Sequence, residues 1–100
     1  MMIHIVMFKL KEFENSKIKN DTIAEIKYKL ENLQNTISEL KFIEVGINQS
    51  ISPNAFDFVL VSHFDNSENL KKYRFHPSHI NVVEFINRFK ESSAVVDYEK

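Results

Sequence analysis

Met2-Ile-His-Ile-Val-Met-Phe-Lys-Leu10 is the stretch on which the fold turns. It is rich in β-branched and apolar residues and too short for an ordinary helix, so it reads as a strand. Side chains alternate between the two faces of a strand. Ile3, Ile5 and Met7 therefore share one side, with His4, Val6, Phe8 and Leu10 on the other. A strand of a monomeric antiparallel sheet usually turns one polar face to water. This strand has no such face.

Working outward, a polar passage from Lys11 to Asn20 leads into a helix. Ile23, Ile26, Leu30, Leu33 and Ile37 recur there at helical spacing, one apolar stripe that reads as core. Thr22-Ile-Ala-Glu25 fits a capping box, and Ser16 offers an earlier start. Residues 40–48 read as the second strand, and Ser52-Pro53-Asn54 marks a turn. Phe56-Asp-Phe-Val-Leu-Val-Ser-His-Phe64 is the third strand, again apolar on both sides. Ser67 caps a short helical stretch through Tyr73, a main helix runs from Pro77 to about Lys90, and Ala94 to Tyr98 closes the chain as a fourth strand. The order β-α-β-β-α-β is that of the α+β, ferredoxin-like fold, a four-stranded antiparallel sheet with its helices on one face. A second sheet is the simplest cover for the other face. We therefore expect a homodimer joined sheet to sheet.

Composition supports that expectation. A chain of 100 residues forms one domain, here residues 1–100, and a domain of this size buries only about two thirds of its unfolded surface. Yet 43% of the residues are apolar, nine are Phe and one is Gly, more large apolar surface than a small monomer needs. The formal net charge of −1, without a basic block interleaved with aromatics, argues against nucleic acid as the partner. The absence of Cys removes disulfide and thiolate chemistry. The apolar N-terminus is too short to span a bilayer and lacks a basic start or cleavage site, so a soluble cytoplasmic protein without a membrane partner is expected.

Tyr73-Arg-Phe-His-Pro-Ser-His79 holds two of the four histidines within four residues. Pro77 suits the first turn of a helix, which puts His76 and His79 at its entrance. His79 precedes Val82, Val83 and Ile86 on the inward stripe. Partial burial and the positive end of the helix dipole keep its ring neutral, the form in which it can act as a general base. Tyr73 can present its hydroxyl to a carbonyl oxygen. The plainer alternative makes His79 a core residue satisfied by Tyr73 or a backbone carbonyl. His76 reads first as a cap or turn residue. His4 shares a face with Val6 and Phe8 and reads as a wall of the interior, whereas His63 lies with Val59 and Val61 on the opposite side. His76 and His79 lack the geometry and glutamate of a zinc-binding His-Glu-x-x-His helix, so no metal is expected. A single glycine, Gly46, cannot build a phosphate-binding loop, so no dinucleotide cofactor is expected either.

Four segments together resemble the stress-responsive α/β-barrel (Dabb) family. They are Ile3-His-Ile-Val-Met-Phe-Lys9, Asp57-Phe-Val-Leu-Val-Ser-His-Phe64, Tyr73…His76-Pro-Ser-His79 and Ser93-Ala-Val-Val-Asp-Tyr98. The resemblance covers essentially the whole chain and implies a dimeric α+β barrel of ferredoxin-like subunits. One plant member of that family is a polyketide cyclase. Its catalytic tyrosine and histidine fall on Tyr73 and His79, and a pocket-lining histidine falls on His4. It carries a further pocket histidine where this chain has Phe58, so Phe58 is a pocket position here and the cyclase reaction is not carried over with it. The candidate site is thus His79 and Tyr73 as catalytic groups, with His4, His76 and Phe58 as ligand contacts.

Two functions follow. The first is a cofactor-free enzyme in which His79 removes a proton beside a carbonyl and Tyr73 holds the developing enolate, as in a cyclase or isomerase. The second is a stress-induced dimer that binds a ligand or partner without catalysis. The resemblance to related dimeric barrels adds cofactor-independent monooxygenation as a third. A cavity in which Tyr73 and His79 converge would favour the enzyme; a filled interior with His79 on a backbone carbonyl would favour the second.

Overall fold

The computed structural model describes residues 1–100 as β1 (Met2–Leu10), α1 (Ser16–Glu31), a 3-10 turn (Asn32–Asn35), β2 (Phe42–Ile47), β3 (Phe58–Phe64), α2 (Ser67–Phe75), α3 (Pro77–Asn87) and β4 (Lys90–Glu99). The strands lie in the order β2-β3-β1-β4, every neighbouring pair antiparallel. This is the expected ferredoxin-like sheet, with α2 as an additional short helix between β3 and α3.

Local chemistry sets the helix boundaries. α1 begins at the earlier of its two candidate starts, because the side chain of Asn15 accepts the Ile18 amide at 2.9 Å. It ends at Glu31, before its apolar stripe runs out. Leu33 and Ile37 stay buried because the 3-10 turn tightens the chain and the Ile37 amide donates to the Leu33 carbonyl at 2.9 Å. The cap of α2 is Asn66 rather than Ser67, its side chain accepting the Asn69 amide at 2.9 Å, and the helix runs on past Tyr73 to Phe75. β4 starts at Lys90, where the main helix was expected to continue, because Lys90 to Ser93 pair with Leu10 to Phe8 across the sheet.

One face of the sheet meets the helices. Val6, Leu10, Ile43, Val45, Phe58, Leu60 and Phe64 pack there against Ile23, Ile26 and Leu30 of α1, Leu70 and Tyr73 of α2, and Val82 and Ile86 of α3. Each fully buried aliphatic or aromatic side chain contributes about 1.5–3 kcal/mol. Asp57 fastens one end of this layer, accepting the Leu10 amide at 2.7 Å and the Lys19 ammonium at 2.8 Å.

The opposite face carries no helix. Its rows follow from the strand register: Ile3 lies between His63 and Tyr98, Ile5 between Val61 and Val96, and Met7 between Val59 and Ala94. Met7, Phe42, Val96 and Tyr98 are substantially exposed there. The β2 edge is answered from α1, where Lys27 donates to the Val45 carbonyl at 2.7 Å and Glu31 accepts the Val45 amide at 3.0 Å. Such side-chain contacts blunt an edge that would otherwise offer free ladder groups.

Candidate functional site

The residue before a proline avoids the helical region. His76 does so, with φ −67° and ψ 134°, and this single extended residue ends α2 and opens α3. Its Nδ1 accepts the Ser78 amide at 3.1 Å, capping α3. The break folds the last turn of α2 against the first turn of α3. Tyr73 and His79 consequently meet with ring centroids 4.3 Å apart. Tyr73 also packs on Phe64 at 5.0 Å and stands edge-on to His4 at 6.4 Å.

Arg74 organises both histidines. The His79 Nδ1–H donates to the backbone carbonyl of Arg74 at 3.0 Å. The His4 Nδ1–H donates to one oxygen of Asp97, and the other oxygen of Asp97 accepts from the Arg74 guanidinium at 3.1 Å. His4 and Asp97 are directly paired across β1 and β4, and the buried Ser62 hydroxyl donates to the His4 carbonyl at 3.3 Å. In both rings Nδ1 is committed to the protein, which leaves Nε2 as the ring nitrogen without a protein partner.

The Tyr73 hydroxyl is buried and has no hydrogen-bond partner. Desolvation pushes its pKa far above the ordinary value of 10.0, so it is a neutral donor rather than a phenolate. Desolvation lowers the pKa of His79 below 6.5; the Arg74 carbonyl opposes that shift, and His4, Arg74 and His76 add to it. The arrangement therefore sets an imidazole whose neutral form is favoured beside a phenol without a hydrogen-bond partner. No three His, Asp or Glu side chains gather as a metal set would.

Tyr73, His79 and His4 thus come together. His76 is adjacent, but its Nδ1 is spent on the cap. Phe58 lies elsewhere: it stacks on Phe8 at 4.9 Å, four residues along β3 from Ser62, the register partner of His4. That separation is about 13 Å. Phe58 instead borders a cleft of about 350 Å³ with Met7, Gly46, Phe56 and Val59. His63 stacks on Phe42 at 4.7 Å on the helix-free face, the side expected for it. Sequence reading missed Asp97 and Arg74. Asp97 has no local signal, since only the pairing register of β1 with β4 brings it to His4.

Comparison with known proteins agrees with this architecture. The sequence profile of the stress responsive A/B barrel domain (Dabb) matches residues 2–100. An uncharacterised protein of Streptomyces coelicolor is 32% identical, over 99% of this chain and 99% of its own. A dimeric protein of unknown function and ferredoxin-like fold from Bacteroides fragilis is 36% identical and superposes with a TM-score of 0.87, over 99% of this chain and 95% of its own. A hydroxynitrile lyase from Passiflora edulis, 21% identical, shares the fold with a TM-score of 0.81 over 97% of this chain and 90% of its own.

Proposed function

The chain belongs to the stress responsive A/B barrel domain family, and from that premise we propose a homodimer, joined through the helix-free sheet faces, whose Tyr73–His79 site binds a small carbonyl or hydroxyl compound and moves a proton on it without a cofactor. The dimer is supported by the apolar rows of β1, β3 and β4, which have the character of an interface core, and by the dimeric state of the Bacteroides relative.

One observation carries the reading of the site: the buried, unpartnered hydroxyl of Tyr73 against a neutral imidazole. Leaving a buried hydroxyl unsatisfied costs about 1–3 kcal/mol. A phenylalanine would keep the packing without that cost, so folding alone gives no reason for the oxygen. A substrate oxygen accepting from Tyr73, with a proton within reach of His79 Nε2, gives one. The hydroxynitrile lyase that shares the fold is consistent with an enzyme of this general type.

A second reading, a non-catalytic binding dimer, draws on the hydrogen bond from His79 to the Arg74 carbonyl, on the rings of Phe64, His4 and His79 packed around Tyr73, and on the five principal clefts of the chain, none of which is lined by Tyr73 or His79. The two readings separate in one experiment. The wild-type protein, Tyr73→Phe and His79→Ala are offered a panel of enolisable ketones, phenylacetone among them, and aromatic cyanohydrins. Turnover above buffer by the wild type alone, with all three proteins folded, is the expected result. Equal rates for all three, or none above buffer, would overturn the catalytic reading.

A further inference from the structure

We infer that the cleft beside Gly46, on the helix-free face, is a second binding site, which takes a small uncharged aryl alcohol and is covered by a second copy of the chain. The inference is independent of the proton-transfer reading and takes from the proposed dimer only the cover. The cleft holds about 350 Å³, within the range of roughly 300–1,000 Å³ of small-molecule sites. Neither Tyr73 nor His79 lines it.

Its floor follows from the strand register. Gly46 pairs with Val59, Val59 with Met7, and Met7 with Ala94, so one row of this face runs from a glycine to an alanine. The row beside it is Glu44, Val61, Ile5 and Val96, with a larger side chain at both ends. Side chains of two facing sheets about 10 Å apart interdigitate to fill the space between them. The short row leaves that space open at the Gly46 end, and an empty gap would forfeit the packing contacts of its walls. Gly46 is the only glycine of the chain and its φ is not positive, so no left-handed backbone requires it. A Cβ there would meet only Cγ1 of the half-buried Val59, at 3.3 Å. A glycine inside a strand costs stability and often marks the close approach of a ligand or another backbone.

The lining selects the ligand. No charged side chain borders the cleft, so an ion buried there would go uncompensated. Met7, Phe56 and Val59 supply apolar walls, and a thioether together with an aromatic ring suits a flat aromatic guest. One amide is free to hold it. Both ends of the Asn48 amide are spent on Ser50, Nδ2 donating to its carbonyl at 2.6 Å and Oδ1 accepting its backbone amide at 3.2 Å. Gln49 makes only a 3.5 Å contact, from Nε2 to the Ile47 carbonyl, which leaves its Oε1 to accept from a ligand hydroxyl. Apolar walls with one such handle fit a molecule bound through its ring and oriented by its O–H.

The test titrates β-naphthol into protein with isotope-labelled methionine methyl groups, read by NMR, with sedimentation velocity on the same samples. Met1, Met2 and Met7 are the three reporters. The Met7 signal should shift and saturate with a Kd on the order of 0.1 mM, while Met1 and Met2 stay in place. Gly46→Leu, which fills the cleft, should abolish the response. Gln49→Leu, in an exposed loop, should weaken binding about 5-fold and keeps the test decisive if Gly46→Leu does not fold. β-Naphthoate, the same ring with a carboxylate, should bind at least about 10-fold more weakly. An unmoved Met7 signal in the wild type would overturn the inference, as would equal saturation in a folded Gly46→Leu, an unchanged Kd in Gln49→Leu, or equal affinity for β-naphthoate. A wild-type dimer without a Met7 response, beside a folded but monomeric Gly46→Leu, would overturn it in favour of a side chain of the second copy as the occupant. A wild-type monomer that saturates in the expected way would remove the dimer reading and leave the site.

Discussion

Replacing Tyr73 by phenylalanine should make the ligand-free protein more stable. The hydroxyl is buried and makes no hydrogen bond, so folding removes its water without replacing it. Deleting it returns about 1–3 kcal/mol. Against this stands a small void where the oxygen was. At about 24 cal/mol per Å³, a void of roughly 10–15 Å³ costs about 0.3 kcal/mol. The ring contacts to Phe64, His79 and His4 are unchanged by the substitution. The net gain is about 0.7–2.7 kcal/mol, and each kcal/mol moves the midpoint of a domain this size by about 4–8 °C. Thermal melts of wild type and variant at one matched protein concentration should therefore show a rise of at least about 3 °C, matching being required because dimer melting depends on concentration. A lower midpoint for Tyr73→Phe would refute the reasoning. It would mean that the hydroxyl is satisfied in the folded protein and that its presence needs no ligand.

His79→Ala should act in the opposite direction, losing about 1 kcal/mol or somewhat more as the Arg74 carbonyl loses its donor, read by urea titration. The lowered pKa of His79 also links stability to pH: its contribution is complete above the unfolded value of 6.5 and is lost as pH falls from there through the folded value, because the unfolded chain takes the proton first. Urea midpoints should fall below pH 6.5 in the wild type, and that part of the fall should be missing in His79→Ala. Val59→Asp, next to Met7 on the helix-free face, would bury an unpaired carboxylate between two sheets, and sedimentation velocity should show loss of the dimer. A wild-type protein that sediments as a folded monomer at micromolar concentration would remove the dimer reading. Glu31→Ala should free the Val45 amide on the β2 edge, costing about 1 kcal/mol and speeding hydrogen exchange at that amide, with little change at Leu60 on the central strand β3.

The parts of this structure legible in the sequence are those that depend on local periodicity. Alternation along Met2–Leu10 placed His4 inward and Ile3, Ile5 and Met7 outward, and the register with β3 and β4 agrees. Pro77 announced the junction that brings Tyr73 onto His79, six residues later in the chain. Phe58 shows what a position along a strand adds to its face: it shares the inward face with Leu60 and Phe64, but its distance along β3 sets it with Phe8 at the far end of the layer from His4. The carboxylate on His4 was out of reach for a different reason. Asp97 lies 93 residues away, and its approach depends on the register of an edge strand whose first four residues, Lys-Glu-Ser-Ser, carry no strand signal. The acceptor for His79 is a backbone carbonyl, and every residue has one. Residue types can nominate two imidazoles and a phenol. Which nitrogen of each imidazole is held, and by what charge, is decided by the helix break at His76 and the pairing of β1 with β4.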